Sequence, residues 1–288
     1  MIKKYLILFI CFHFFAGFGQ SNDTLTRKEI RKNRPGYIIL GTGINRAIFR
    51  DLATSPLFYK WIIPNFSLGY KKIDSKKETA FGANYSSGNH SYSITENSGT
   101  NKLWSLNLDF YKLYQLNQLS TEKWNYKIGG SLQFTNNFRI NEILENNAYG
   151  YESFLNVLFS QKLTRDISRK IEKNKTIWFF KIHRKPRKRD LSYQFNMGLI
   201  NNYLRNGYAY LGQSEVINDF KLLDDYKFEI MKGYRANSVL NYTTYLKNNN
   251  ALQFSYSWDV FSTGNNNKNN RFEMASHKIQ FSLLFNLK

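Results

Sequence analysis

From residue 36 onward, apolar and polar residues alternate with a period of two, the period of a β-strand. Residues 124 to 138 show it most cleanly. Trp124, Tyr126, Ile128, Gly130, Leu132, Phe134 and Phe138 share one face, while Asn125, Lys127, Gly129, Ser131, Gln133, Thr135 and Asn137 share the other. The same split sets Trp104, Leu106, Leu108 and Phe110 against Ser105, Asn107 and Asp109. It also sets Leu252, Phe254, Tyr256, Trp258 and Val260 against Gln253, Ser255, Ser257 and Asp259. A last stretch opposes Ile279, Phe281, Leu283, Phe285 and Leu287 to Lys278, Gln280, Ser282 and Asn286. Weaker versions around Leu40, Leu68, Ala83, Val157, Met197 and Tyr242 bring the predicted strands to ten.

The separators alternate in length. Tight linkers fall near Asp74 to Lys77, Asn117 to Glu122 and Asn248 to Asn250, and longer polar ones near 46–61, 87–101, 205–233 and 263–274. Short turns at one end and long loops at the other predict an all-β fold, a closed up-and-down antiparallel transmembrane barrel of ten strands spanning 36–288. Twelve strands result if Asn206-Gly207 is a hairpin turn and Tyr208–Val216 pairs with a stretch from 226 onward; helix-like spacing of Val216, Ile217, Phe220, Leu223 and Tyr226 is the competing reading of that connection. An even strand number puts both termini on one side, expected to be the periplasm.

A soluble β-sandwich also alternates, but its short linkers are usually rich in proline and glycine, and this chain has 4 Pro in 288 residues. Its 5 Trp, 20 Tyr and 24 Phe include Tyr70, Trp104, Tyr114, Trp124, Phe138 and Trp258 near strand ends, as interfacial aromatic girdles require. A mean hydropathy of −0.51 excludes a bundle of membrane helices, and the aromatic content excludes a disordered chain.

Export changes the meaning of the charge. Lys3 and Lys4 precede an apolar run from Tyr5 to Gly19 that closes on Gly17-Phe18-Gly19, the three-part layout of a signal peptide over residues 1–19. Cys11, the only cysteine, lies inside that run, with Phe12, Phe14 and Phe15 beyond it, so the position does not suit a lipid-anchored cysteine; the mature chain would have no thiol. Cleavage leaves 39 Lys+Arg against 21 Asp+Glu, or +18. For an exported chain the anionic neighbours are outer-membrane lipids and lipopolysaccharide rather than nucleic acid.

At this point the chain resembles the outer-membrane β-barrel proteins of Gram-negative bacteria. The resemblance covers 36–288 in pattern and is most specific in the last strand, Ile279 to Leu287, although the chain ends Leu287-Lys288 rather than in an aromatic residue. It implies that this strand is read by the barrel-assembly machinery during insertion, and it carries over no catalytic residue.

On the inward face the register places Lys71, Lys127 and Lys278 with Asp109, Glu152 and Asp259, a mixed-sign network that suits an occluded lumen in a barrel of this size. Inward Gly41, Gly43, Gly69, Gly82, Gly129 and Gly198 leave a small-solute pore as the alternative. A lipid or lipopolysaccharide hydrolase is the second alternative. Its candidate, the Asn84–Ser93 run, has His90 and Ser91 adjacent, so in a strand they face opposite ways, and only a loop would let His90 reach Ser86 or Ser93. No metal-ligand spacing and no cofactor motif emerges.

One connection breaks the pattern. Residues 162–190, on the short-turn side, carry 12 Lys+Arg and 3 Asp+Glu, a net +9, interrupted by Ile177-Trp178-Phe179-Phe180. Trp178, Phe179 and Phe180 with Arg184, Lys185, Arg187, Lys188 and Arg189 are the expected contact for lipid headgroups or for a protein partner in the periplasm or membrane; a solvated loop is the plainer reading. A second basic stretch, Thr26–Arg34 within residues 20–35, has Thr26 and Glu29 spaced as a capping box. The expected role is a non-catalytic structural or accessory subunit of an envelope complex.

Overall fold

The computed structural model describes residues 34–53, 55–94, 97–141, 149–178, 180–206, 226–264 and 271–287. The signal-like run, the basic stretch to residue 33, the 207–225 connection with its two competing readings and the Asn-rich tip at 265–270 lie outside the described residues.

The strands are β1 (Gly36–Asp51), β2 (Ser55–Ile73), β3 (Lys77–Ile94), β4 (Asn97–Gln115), β5 (Trp124–Asn141), β6 (Tyr149–Asp166), β7 (Lys173–Ile177), β8 (Phe180–Arg184), β9 (Arg189–Asn206), β10 (Tyr226–Glu229), β11 (Tyr234–Tyr245), β12 (Ala251–Ser262) and β13 (Phe272–Asn286). Each barrel strand pairs antiparallel with its sequence neighbour, and β13 returns to pair with β1, from Tyr37 opposite Asn286 to Asp51 opposite Phe272. β10 and β11 both pair with β9 and form two pieces of one stave, so ten staves close the barrel. β7 and β8 form a separate two-stranded sheet between β6 and β9.

The burial pattern is the reverse of a soluble sandwich. Ile44, Ile62, Phe66, Leu68, Phe81, Leu132, Met197, Phe254, Ile279 and Phe281 face outward and are exposed, while among the described residues the buried side chains are mostly polar. A surface this apolar costs about 25 cal/mol per Å² in water, and the cost vanishes in a bilayer.

Two predicted long loops turn out to be strand. β1 and β2 run to Asp51 and from Ser55, and β3 and β4 run to Ile94 and from Asn97, so the expected loops at 46–61 and 87–101 shrink to a few residues. On β1 and β2 the inward positions become apolar there, while the outward ones mix Arg46, Arg50 and Lys60 with Ile48, Phe58 and Ile62. Arg46 and Lys60 point outward, while Ala47, Phe49, Trp61 and Ile63 fill the interior as part of an aromatic core with Phe154, Phe261 and Phe272.

β9 carries a bulge. Leu158 pairs with Gly198 and Val157 with Ile200, which leaves Leu199 without a cross-strand partner and exchanges the two faces of the strand beyond it. The stave opposite is broken between β10 and β11, and Asn201 and Asn202 hold the break: Asn202 Oδ1 accepts from the Met231 amide at 3.0 Å, and Asn201 Nδ2 donates to the Gly233 carbonyl at 3.3 Å. Gly233 has φ +82°, and a Cβ there would meet the Ser262 carbonyl oxygen at 2.2 Å. Gly233→Ala is therefore expected to destabilise the barrel by about 1–3 kcal/mol, read as a lower guanidinium midpoint of refolded protein.

Candidate functional site

The lumen is packed in three tiers. Near the short turns, Glu78 on β3 accepts from Lys162 Nζ at 2.6 Å, Lys71 Nζ at 3.0 Å and the Tyr111 hydroxyl at 2.8 Å, with Lys127 Nζ 3.7 Å away. Lys127 also donates to the Asp74 carbonyl at 2.6 Å. At mid-height, Arg235 on β11 holds Asp259 with Nη2 at 2.6 Å and Nε at 3.1 Å, and its Nη1 crosses the lumen to Thr135 at 2.8 Å and Asn156 at 3.0 Å. Beside it Lys278 donates to Asn84 at 3.0 Å, and Asn84 donates to Asp109 at 3.3 Å.

The tier next to the long-loop end joins charge to aromatic rings. Arg139 bridges Asp51 at 2.7 Å and Glu152, and Arg205 reaches the other oxygen of Asp51. The Arg139 guanidinium lies 4.5 Å from the Phe49 ring and 5.2 Å from that of Phe272, and Phe49 stacks on Trp61 at 4.4 Å. The Arg205 and Arg235 side chains are 2% and 0% exposed.

The six predicted lumen residues thus fall into different tiers: Lys71 and Lys127 on Glu78, Asp109 with Lys278 beside Asp259, and Glu152 at the far end. The hubs of the network were not among them. Glu78 and Lys162 are in phase with predicted inward neighbours (Gly82 and Glu152), as Arg139 is with Lys127, and that phase could have found them. Arg205 carries no such signal, because the bulge sets its direction.

The basic connection continues the β6–β9 ladder past the rim. Ile167 donates to the Arg189 carbonyl, Arg169 and Arg187 exchange backbone bonds at 3.0 Å in each direction, and β7–β8 then form a hairpin whose last pair is Ile177 and Phe180. Trp178 sits in its turn with φ 55° and is 88% exposed. Lys185, Arg187 and Lys188 are exposed, with Lys188 4.8 Å from the Tyr245 ring; Arg189 is half-buried at the start of β9. Phe180 and Arg184 lie in β8, and Phe179 lies outside the described residues.

His90 lies in β3 rather than a loop, opposite Asn101, with Ser91 opposite Thr100. Among the described residues, no group of three or more His, Cys, Asp or Glu could hold a metal ion.

No protein-family model matches the chain, and no curated protein matches it. Among solved structures, the outer membrane protease OmpT of Escherichia coli is similar at a TM-score of 0.51 and 10% identity, over 93% of this chain and 100% of that one. The translocator domain of the autotransporter NalP from Neisseria meningitidis matches at a TM-score of 0.36 and 9% identity, over 86% of this chain and 88% of that one. The β domain of the Bordetella autotransporter BrkA matches at 0.35 and 10%, over 86% of this chain and 98% of that one. The chain has the fold of the outer-membrane β-barrel proteins, and its outward apolar band supports an outer-membrane location.

Proposed function

We propose that this chain is an integral outer-membrane barrel that performs no chemistry and conducts no solute, and that it serves as an accessory subunit docked to an envelope complex through the basic β6–β9 ribbon. The filled lumen carries this reading. Three tiers of buried ion pairs and an aromatic core leave a rigid plug where a pore would need a continuous polar path. Both ends of the barrel chain lie on the ribbon's side, Leu287 donating to the Gly36 carbonyl at 3.0 Å, and the reading assigns that side to the periplasm.

The similar solved structure from E. coli is an outer membrane protease, so hydrolysis is the reading to set against this one. General-base chemistry needs a carboxylate or imidazole free to take a proton. Here Asp51 is held by two arginines and Glu152 by one, while His277 on the outer face is hydrogen-bonded to the Tyr256 hydroxyl at 2.8 Å.

The experiment replaces residues 170–186 by Asn-Gly, a two-residue hairpin turn, and compares tagged native and shortened chains after mild solubilisation of the membranes. Both are expected to show the gel shift between boiled and unboiled samples that marks a folded barrel. A stoichiometric protein should co-purify only with the native chain. A lone barrel in both preparations overturns the docking, and step currents from native protein in planar bilayers overturn the closed lumen.

A further inference from the structure

Toward the long-loop end, cations enter the outward apolar face of β12, β13, β1 and β2. Its rows are fixed by register: Tyr256–Ile279–Ile44–Pro64 is apolar, like the rows beneath it. The next rows read Trp258–His277–Arg46–Ile62 and Val260–Ala275–Ile48–Lys60. From Ile38, at the other edge of the band, to Arg46 there are eight residues, about 20 Å along the membrane normal at a rise of ~3.3 Å and a tilt of ~40°. The Lys60 row, two residues further along β1, comes at ~25 Å, the height of a lipid-facing band, which sets Lys60 at its long-loop border with Arg46 one row below.

These two cations differ from their neighbours. Arg50, one row further, is neutralised by Glu273, which also takes Arg271 at 3.2 Å. Arg46 and Lys60 are exposed and point away from the lumen carboxylates, and Tyr256 fixes the His277 ring beside Arg46 by the bond to Nδ1. Arg46 and Lys60 stand diagonally on adjacent strands, ~7–8 Å apart at Cα, a spacing that two long side chains close around one phosphate.

We infer that Arg46 and Lys60, with His277 beside them and the Trp258 ring at the same depth, form a binding site for a phosphate of a lipid A-type glycolipid in the outer leaflet. An acyl chain would run down the apolar rows below, over Ile44 and Ile279. The inference rests on the outer-membrane reading with the long loops outside.

Native mass spectrometry of refolded barrel tests it with three probes: bis-phosphorylated lipid A, the same lipid A stripped of phosphate, and phosphatidylglycerol. Native protein should retain the phosphorylated lipid A best. Arg46→Gln with Lys60→Gln should weaken that retention about tenfold or more, as loss of two charge-assisted contacts implies, while Lys247→Gln in the turn at the opposite end leaves it unchanged. Equal retention by native protein and double variant overturns the site, and equal retention of phosphatidylglycerol overturns its assignment to a glycolipid. A gel shift on boiling separates the causes: a chain without one fails the membrane reading itself, whereas a shifting barrel that does not discriminate fails only this inference.

Discussion

Replacing Glu78 by glutamine is expected to lower the unfolding free energy of the refolded barrel by about 3–5 kcal/mol, the cost of leaving buried charges without their partner. Glu78 is fully buried and lies within 4 Å of the ammonium groups of Lys71, Lys127 and Lys162. Glutamine keeps the volume and one acceptor oxygen but withdraws the charge, so three ammonium groups on β2, β5 and β6 then repel one another in a space closed to water. Each strand contributing a lysine is pushed from the others at the short-turn end. The check is the guanidinium midpoint together with the temperature at which the unboiled gel band is lost. Lys162→Met in the Glu78→Gln background should recover part of the loss, because it removes the most deeply held of the three repelling charges. The two substitutions would then be non-additive by more than 1 kcal/mol, as coupled buried groups are. Strict additivity would mean that Glu78 does not organise this tier.

Where the bilayer and the lumen impose opposite demands, the fold was legible from pattern alone. On β5, Leu132 and Phe134 must meet lipid while Ser131, Gln133 and Thr135 meet the interior, and the chain satisfies both in a strict period of two. The same contrast hid the upper barrel. Around Phe49 and Trp61 the apolar residues move inside and Arg46 and Lys60 stand outside, so a reading tuned to apolar-outward strands stops at the membrane border and reports a loop. The charged interior was legible only as a set of inward positions. Which lysine meets which carboxylate depends on strands distant in sequence: Glu78 and Lys162 are 84 residues apart, and Asp51 and Arg205 are 154 apart. Register between neighbours does not reveal contacts across the lumen. For the ribbon, composition gave the charge, while its form as a hairpin comes from continuing the β6–β9 ladder to the Arg169–Arg187 bridge.

Deleting Leu199 should damage the barrel far more than shortening its side chain. Leu199 is half exposed on the lipid face, so Leu199→Ala removes only lipid contact and should cost about 1 kcal/mol or less. Deletion removes the extra residue that opposes Val157 and Leu158, and a one-residue change of register reverses every side chain on one side of it. If the lower part of β9 holds its place, Asn201, Tyr203 and Arg205 turn outward and Ile200 and Leu204 enter the lumen. Asp51 then loses Arg205, and the Asn201 bond to the Gly233 carbonyl, which ties down the broken stave, is lost with it. If the upper part holds instead, Gln194 and Asn196, both now buried, turn toward lipid. Neither register keeps the polar residues inside, and in the first the loss of the Asp51–Arg205 pair alone is expected to cost about 3–5 kcal/mol. The deletion's gel shift should disappear at a temperature where Leu199→Ala still migrates as a folded barrel. Equal midpoints for the two variants would show that the bulge does not set the direction of Arg205. A selective loss in the deletion would make one residue without a cross-strand partner, on the lipid face, the reason that an arginine near the rim turns inward to Asp51.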